Sequence, residues 1–346
     1  MKKPVMSGGA ASPAEKRWSL NRIIRLILTP EIGMLIPIVL ICVLTNNANP
    51  VFLTWKFFSK ILINSIPIGM MALGQALVTL TGDVDLSVGM NGCFAGIMMG
   101  VACDRWGLST AFGSPTLGLI VCILIGIASG ALIGAINGLM TTRFKLSSWI
   151  TTLATQFICK GLVTTISQGI TLDIKALGTK AFKDARPLSL SWLFIIFVCI
   201  IFILDIVVRR SRFGYKLRAV GGNPNAATMG GISVDRIRFT ACLLAGVFAA
   251  LSGVFEVIQQ QKAIPTSGEG REFRTIICVS IGGLSAGYGS IWGCAVGILL
   301  YHVVIRALEV LGWDKMLQLV LIGAILIIAV LMDIMRKKFE VKQIAR

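Results

Sequence analysis

The sequence predicts an all-α, polytopic integral membrane protein with about ten transmembrane helices, one of them broken near residues 282–289. Hydrophobic residues make up 55% of the 346 positions and only 14% are charged, whereas roughly a quarter of the residues of a soluble domain are charged. The mean hydropathy is +0.83. We therefore expect a transmembrane domain over residues 32–335, between a basic tail over 1–31 and a second basic tail over 336–346.

Apolar segments follow one another along this domain, and most are near the roughly 20 residues that cross a bilayer core. They cover residues 32–45, 58–81, 86–103, 117–140, 147–167, 190–208, 239–259, 275–286, 289–305 and 316–333. A single helix over 275–305 would be about 46 Å long, well over the bilayer core. We therefore expect it to break at its glycines, which makes 275–286 a half-helix or a re-entrant segment.

Small residues and cysteines are expected to serve packing. The span over 117–140 has a glycine at every fourth position, and the span over 239–259 has a similar stripe, so both predict close helix contacts. These stripes are Gly126, Gly130, Gly134 and Gly138, and Ala245, Ala249 and Gly253. The nine cysteines form no C-x-x-C pair and lie mostly in apolar spans, so we expect buried thiols without a metal or disulfide role.

The charge distribution predicts the orientation. Lys and Arg number 33 and Asp and Glu 16, for a net charge of +17. With ten crossings and a cytoplasmic N-terminus, 20 of those 33 cations fall in cytoplasmic segments, in agreement with the positive-inside rule. Nine crossings would place the basic C-terminal tail outside. No basic patch is interleaved with aromatic residues as nucleic-acid binding requires, so we expect no nucleic-acid partner.

Residues 209–238 form a long polar interruption between two spans. Seven of the thirty residues are Lys or Arg, and only Asp235 is acidic. Asn223 suits a helix N-cap, Pro224 suits the first helical position, and Gly230-Gly231 suits the stop. The sequence therefore predicts a short capped helix inside a cationic loop. Such a loop serves either as a docking element or simply as a positive-inside anchor.

The sequence contains no recognisable catalytic motif. It has no Gly-Lys dipeptide, hence no phosphate-binding G-x-x-x-x-G-K-[ST] loop, and no H-E-x-x-H motif. The single histidine, His302, lies in a predicted span, where a packed role is expected. We therefore predict a membrane protein that is not an enzyme and holds no metal or other cofactor. Energy for uphill transport would come from an ion gradient or from another subunit.

Three segments resemble those of sugar permeases, in the same order from about Thr81 to the C-terminus. Asn225-Ala226-Ala227-Thr228-Met229-Gly230-Gly231 resembles the E-A-A-x-x-x-G coupling motif of ABC importer permeases, with Asn in place of Glu. TGDVDLSVG resembles the T-G-G-x-D-L-S-V-G segment of ribose/xylose-type sugar permeases, although Asp83 stands where a second glycine is usual. GREFRTIICVSIGGLSAGYGSIWG is similar to a third segment of that family.

The resemblance implies the permease subunit of a bacterial ABC importer for a small sugar, in the inner (plasma) membrane with both termini cytoplasmic. It implies a second, identical or related permease subunit, two cytoplasmic ATPases that use ATP, and a periplasmic or lipid-anchored sugar-binding protein. It also implies that the predicted capped helix couples to the ATPase. The residues concerned are Asn223, Pro224, Asn225, Ala226, Ala227, Gly230 and Gly231.

Two other segments are candidates for the translocation path. Irregular backbone beside water is tolerated within membrane proteins, and carboxylates and hydroxyls can bond to sugar hydroxyls. The candidates are Asp83, Asp85, Ser87 and Asn91, and Gly282, Gly283 and Ser285 in the glycine-rich break. In the alternative interpretation, Asp85 or Ser87 caps the span that begins near Leu86, and the glycines pack helices. Glu256 and the 260–274 loop are predicted to contact the delivering protein.

Two further functions remain open on the sequence. One is a related ABC permease for branched-chain amino acids or nucleosides, which share the loop architecture. The other is an ion-coupled secondary transporter with Asp83 and Asp85 as its ion site.

Overall fold

The computed structural model describes residues 33–109, 111–174 and 191–325, together with Ile327 and Leu331. The two predicted tails, 1–31 and 336–346, lie outside the described residues. In chain order the helices are α1 (Leu35–Ala48), α2 (Trp55–Asn64), α3 (Ile66–Leu80), α4 (Val88–Asp104), α5 (Pro115–Thr142), α6 (Ser148–Ser167), α7 (Trp192–Arg210), α8 (Arg212–Gly222), α9 (Pro224–Met229), α10 (Val234–Gln260), α11 (Arg271–Ile281), α12 (Ile291–Val310) and α13 (Lys315–Ile325).

The protein is apolar and mostly helical, which is consistent with the predicted all-α membrane protein. In the described residues α5, α7, α10 and α12 are each long and apolar enough to cross a bilayer. The pair α2 and α3 makes a fifth candidate, although it bends by 43° at Ser65. Helices α1, α4 and α13 are apolar but shorter. A helix lies in each predicted span, but helix length alone does not establish ten crossings.

Two departures from the predicted helices are small and local. Strands β1 (Leu172–Asp173) and β2 (Lys262–Ala263) pair antiparallel, with Leu172 opposite Ala263. Two-residue strands are too short to show a period of two, so the sequence carried no signal for them. The predicted break in the glycine-rich segment is confirmed, because α11 ends at Ile281 and α12 begins at Ile291.

The core of the molecule is formed by α3, α4 and α10. Every residue of α3 except Thr79 is buried, and so is every residue of α4 except Met98 and Asp104. A helix that is apolar on all sides is found in a protein core or within a membrane. Helix α10 packs on α3, α4 and α5, so it joins the buried pair to the outer helices.

Both predicted small-residue stripes are confirmed as packing surfaces. A Cβ atom at Gly134 of α5 would lie 2.6 Å from the Cys242 carbonyl oxygen and 2.8 Å from the Gly246 Cα atom of α10. On another side of α10, a Cβ atom at Gly253 would overlap the Gly92 carbonyl oxygen of α4. The backbones of these helices are therefore in direct contact, as in other close-packed membrane helices.

All nine cysteines are free, and eight are buried as expected. Cys199 of α7 is exposed, which the sequence did not indicate. His302 is buried, and its Nδ1 atom lies 2.8 Å from the Ile298 carbonyl oxygen one helical turn earlier. It is the packed histidine that was predicted. Within the described ranges, no group of three metal-ligating side chains comes together.

Candidate functional site

The predicted capped helix is present as α9. The Asn223 side chain accepts a hydrogen bond from the Ala226 backbone N–H at 3.0 Å, and Pro224 is the first helical residue. The helix ends at Met229, followed by Gly230 as its C-cap and by Gly231, whose φ of +78° favours glycine. Both predicted ends of the helix are confirmed.

Helix α8, in the same loop, was not predicted. Ser211 caps it by accepting from the Gly214 N–H at 3.2 Å. Leu217 and Val220 are buried on its inner side, and Phe213 packs against the core. This spacing of four and three residues is typical of an amphipathic helix, so the signal was in the sequence. The loop over 209–238 is therefore a pair of short helices.

The side chains of α9 divide between the interior and the surface. Ala227 is only 6% exposed and packs in the protein's own core. Asn225, Ala226 and Thr228 are exposed, and Met229 is 91% exposed. Of the two predicted coupling alanines, the structure therefore leaves Ala226 accessible to a partner and turns Ala227 inward.

The end of α8 touches two other predicted segments at what we name the glycine junction: Leu80, Gly221 and Gly287. The Gly287 N–H donates to the Leu80 carbonyl oxygen at 3.1 Å. A Cβ atom at Gly221 would overlap that same oxygen and lie 2.5 Å from the Gly287 nitrogen. The backbone of the cationic loop therefore meets the end of α3 and the break between α11 and α12.

An ion pair makes a second connection beside the junction. The Arg238 Nε atom of α10 lies 3.1 Å from Asp83 Oδ2, and the Thr81 hydroxyl donates to the same oxygen at 3.3 Å. The Arg238 Nε–H is not aligned for a hydrogen bond, so the contact is ionic. Burial raises the pKa of the Asp83 carboxyl, although Arg238 and Thr81 act to lower it. The pair joins the TGDVDLSVG segment to the first turns of α10.

A cavity of about 240 Å³, here named the loop-side pocket, lies next to the junction and has several polar residues in a largely apolar wall. Asp83 and Ser285, two of the predicted path residues, both line it. Gln75 and Thr79 of α3 and Ser280 of α11 also contribute to its wall. The structure therefore brings one polar residue from each predicted path segment into the same cavity.

Asp85 and Ser87 belong instead to a buried network. The Asp85 Oδ1 atom accepts from the Ser87 N–H at 2.8 Å and from the Ser87 hydroxyl at 2.6 Å. Asn137 of α5 donates to the Ser87 hydroxyl at 2.9 Å and accepts from Thr155 of α6 at 2.7 Å. Helix α4 begins at Val88, and the Ser87 side chain caps none of its N–H groups. Of the two residues predicted to cap this span, Asp85 is therefore the one whose side chain accepts a backbone hydrogen bond just before α4.

Gln75 connects this network to the loop-side pocket. In the amide orientation that satisfies both of its groups, it donates to the Asp85 carbonyl oxygen at 2.9 Å and accepts from the Asp85 N–H at 3.3 Å. Sequence reasoning missed Gln75, although a lone glutamine in an apolar span is a signal, because a buried amide needs partners. It fixes the backbone of the TGDVDLSVG segment.

The remaining predicted path residues are not all on a cavity wall. Asn91 is fully buried and donates to the Gly130 carbonyl oxygen of α5 at 3.1 Å. Gly282 packs where a Cβ atom would lie 2.8 Å from the Cys294 Cα atom of α12. Gly283 has a φ of +76° and turns the chain out of α11. Asn91 and Gly282 therefore contact neighbouring helices, and Gly283 turns the chain at the end of α11.

A second polar cavity, here named the distal pocket, lies at the other ends of α3 and α10. Its volume is about 290 Å³. The polar residues on its wall were not predicted as a site, apart from the general expectation for Glu256 and the 260–274 loop. They are Asn64, Ser191, Glu256, Gln259, Gln260, Arg271 and Arg274.

Glu256 is not free to contact another protein. It is 5% exposed, and both its carboxylate oxygens bind the Arg271 guanidinium at 2.6 and 2.5 Å. The Gln260 amide donates to the same carboxylate at 2.8 Å. The expected contact between Glu256 and a delivering protein is therefore replaced by an internal ion pair, which ties α10 to the start of α11.

Comparison with known proteins gives a consistent result. A profile of the family described as branched-chain amino acid transport system / permease component matches residues 57–330. The ribose import permease of Bacillus subtilis is 33% identical, covering 90% of this chain and 93% of its own. The fructose import permease of Rhizobium meliloti is 31% identical, covering 85% and 83%. The L-arabinose transport system permease of Escherichia coli is 28% identical, covering 96% and 98%. No solved structure matches significantly.

These similarities extend over nearly the whole chain, so they include the loop of α8 and α9, the glycine junction and both pockets. All three relatives are import or transport permeases, and each carries the name of a sugar. Their match agrees with the resemblance found in the motifs. The chain therefore belongs to this family of transport permeases, as a permease of the sugar ABC transporter type.

Proposed function

We propose that this chain is the membrane-spanning subunit of an ABC importer, which passes a small neutral sugar delivered by a binding protein and does no bond chemistry itself. A second permease subunit, two ATPases that use ATP, and a periplasmic or lipid-anchored sugar-binding protein complete the assembly. The chain lies in a bacterial inner membrane, with the loop over 209–238 and both termini cytoplasmic. The glycine junction carries the proposal, because it connects the loop that holds an exposed helix to a cavity lined by Asp83 and Ser285.

Helix α9 is the docking element in this proposal. Its outward residues Asn225, Ala226 and Met229 seat against an ATPase, while Ala227 fixes the helix to the permease. Asn223, Pro224, Gly230 and Gly231 act indirectly, since they set where the helix begins and ends. A capped helix moves as a rigid body, which a flexible loop does not do.

Movement of α9 reaches the cavity through α8. The backbones at Gly221, Leu80 and Gly287 touch without intervening side chains, so a displacement of α8 shifts both walls of the loop-side pocket. Asp83 and Ser285 contact the sugar there. Asp85, Ser87, Asn91, Gly282 and Gly283 hold the surrounding backbone in place. Close-packed interiors transmit such shifts because they deform little.

The names of the relatives support a monosaccharide as the cargo. Proteins named for ribose, fructose and L-arabinose import or transport resemble the chain over most of its length. The loop-side pocket of about 240 Å³ lies near the lower end of the roughly 300–1,000 Å³ typical of ligand pockets. That size suits one sugar ring. The description of the matching family names branched-chain amino acids, so uptake assays should include them.

The arrangement of the two aspartates weighs against an ion-coupled transporter. Asp83 lies on the loop-side pocket and pairs with Arg238, whereas Asp85 binds Ser87 inside the packed core. An ion site requires that its ligands converge on one point, and these two carboxylates have separate partners. The ABC importer explains both the loop and the pocket.

The test compares two alanine-to-glutamate variants. Ala226→Glu adds a charge on the exposed side of α9, and Ala111→Glu makes the same change at an exposed turn at the opposite end of α5. We expect Ala226→Glu to lose the co-purified ATPase and sugar uptake, and Ala111→Glu to keep both. Unchanged ATPase recovery and uptake in Ala226→Glu would refute the docking assignment. Uptake that collapses with the ion gradient, and no recovered ATPase, would indicate a secondary transporter.

A further inference from the structure

We infer that the distal pocket is a second sugar-binding site, which receives the neutral sugar before it reaches the loop-side pocket. This inference rests on the proposed function and adds a site to it. The pocket, of about 290 Å³, lies between the start of α3 and the end of α10. It is as large as the loop-side pocket and is also lined by amides and charged groups.

The distal pocket presents hydrogen-bonding groups that the described part of the chain does not use. The Arg274 guanidinium makes no hydrogen bond or ion pair with any described residue. The amide nitrogens of Gln259 and Gln260 donate to the Ile63 carbonyl and to Glu256. Their amide oxygens accept from no described residue, so they remain available. Arg274 and Gln259 are half-buried, whereas Gln260 is exposed. Half-buried polar groups without protein partners favour a polar ligand.

The combination of groups fits a neutral polyhydroxylated ligand. A hydroxyl group both donates and accepts, so vicinal hydroxyls can bind the Arg274 fork and the glutamine oxygens together. An anion accepts only, and it would face two amide oxygens and the Glu256 carboxylate. Since Arg271 already neutralises Glu256, Arg274 is the one cation of the described wall that forms no ion pair. A neutral sugar satisfies more of this wall than an anion does.

Two helices, α3 and α11, contribute residues to both pockets. Pro67 and Ile68 of α3 line the distal pocket, and Gln75 and Thr79 line the loop-side pocket. Residues 68 and 75 are seven positions apart, so they lie on one helical face about 10 Å apart along the axis. Helix α11 also lines both, through Arg274 at one pocket and Ser280 at the other. The two pockets therefore follow one another along α3 and α11, and a sugar passes from one to the other when the buried packing between them, at Met71, Ala72 and Ile277, opens.

Cysteine protection in the full-length permease tests the inference. Ile63→Cys places a thiol on the distal wall without removing a polar group, and Cys199→Ser removes the exposed native thiol. The protein is held in lipid nanodiscs and treated with a water-soluble methanethiosulfonate. We expect ribose, arabinose or fructose to slow the modification of the thiol introduced by Ile63→Cys in a saturable way. Ser114→Cys, at an exposed position before α5, should react at the same rate with and without sugar.

A second pair of variants tests the role of the guanidinium. Adding Arg274→Gln should raise the sugar concentration for half-protection by roughly ten- to a hundredfold, as expected when a charge-assisted hydrogen bond is lost. Arg306→Gln removes a cation that pairs with Glu309 on α12, away from the pocket, and should leave that concentration unchanged. Equal effects of the two variants would overturn the assignment of Arg274.

The outcomes separate this inference from the proposed function. If the assembled transporter imports a sugar that never protects the thiol, the distal site is wrong and the importer stands. Protection by gluconate or inorganic phosphate, but by no neutral sugar, would also overturn it. If neither ATP-driven uptake nor protection is seen with any sugar, the proposed function fails together with the site.

Discussion

At the scale of single residues, the contacts of Asp85 indicate that it stabilises the fold and does not contact the sugar. Its carboxylate binds the Ser87 N–H and hydroxyl just before α4. We expect Asp85→Ala to lower the free energy of unfolding by about 1–2 kcal/mol, as the loss of an N-terminal cap usually does. Asp85→Asn keeps an acceptor oxygen and should recover most of that loss. Thermal unfolding of the purified variants in detergent measures both.

The same two variants separate the alternatives for Asp85. In the structural role, uptake falls only in proportion to the amount of folded protein. If Asp85→Ala is as stable as the wild type but transports nothing, the residue contacts the sugar. That result would restore Asp85 to the translocation path.

The two coupling alanines show what a sequence can and cannot predict at one residue. The motif identified Ala226 and Ala227 equally. Only the contacts of α9 with the rest of the protein distinguish them, because they bury Ala227 and leave Ala226 exposed. We expect Ala227→Glu to lower the amount of folded protein, since an unpaired charge is costly to bury. Size-exclusion profiles of Ala226→Glu and Ala227→Glu should differ accordingly, and equal profiles would contradict the inward position of Ala227.

At the scale of elements, the contact between α8 and α3 requires a glycine at position 221, whereas its neighbour Gly222 takes no part in the contact. A Cβ atom at Gly221 would overlap the Leu80 carbonyl oxygen, whereas one at Gly222 would meet nothing within 4 Å. We expect Gly221→Ala to destabilise the protein by about 1–3 kcal/mol, as overpacking does. Gly222→Ala should change the stability by at most about 0.5 kcal/mol.

Uptake and ATP hydrolysis in the reconstituted transporter extend this comparison. If the junction transmits motion, Gly221→Ala should reduce the sugar moved per ATP hydrolysed, and Gly222→Ala should not. Identical coupling ratios in the two variants would show that the junction is only a packing contact.

The contact between α5 and α10 offers a second matched pair of glycines. A Cβ atom at Gly246 would lie 2.6 Å from the Gly130 carbonyl oxygen, whereas one at Gly161 of α6 would meet nothing within 4 Å. Gly246→Ala should therefore lower the unfolding free energy by about 1–3 kcal/mol. Gly161→Ala should be neutral or add up to about 1 kcal/mol, because alanine favours a helix. Thermal unfolding of the two purified variants measures this difference. Equal midpoint temperatures would contradict the packing of α5 against α10.

Apolar runs in the sequence predict the positions of the helices, but not their bends or the pockets between them. Long apolar runs predicted the positions of the helices well, because burial in lipid or protein requires internally bonded backbone. They did not predict the 43° bend between α2 and α3. The signal was Pro67, which fits the first turn of a helix but not its interior. The pockets arise from side chains far apart in the chain, so local patterns indicated polar segments but not which of their residues line one cavity.

At the scale of the whole molecule, the length of α5 indicates which surfaces lie on opposite sides of the membrane. It begins after Ser114 and ends near the Lys145–Asp235 ion pair, beside the loop of α8 and α9. Its 28 residues span about 42 Å, which exceeds the bilayer core. Ser114 and the exposed Met229 should therefore lie on opposite sides of the membrane.

This arrangement predicts how an impermeant thiol reagent labels intact cells. In a Cys199→Ser background, Ser114→Cys should react and Met229→Cys should not, because the positive-inside rule places the basic loop in the cytoplasm. After the membrane is opened, Met229→Cys should react as well. Labelling of Met229→Cys alone in intact cells would reverse the orientation, and the basic loop would then be unable to meet a cytoplasmic ATPase. The importer proposal therefore depends on this result, whereas the helix packing does not.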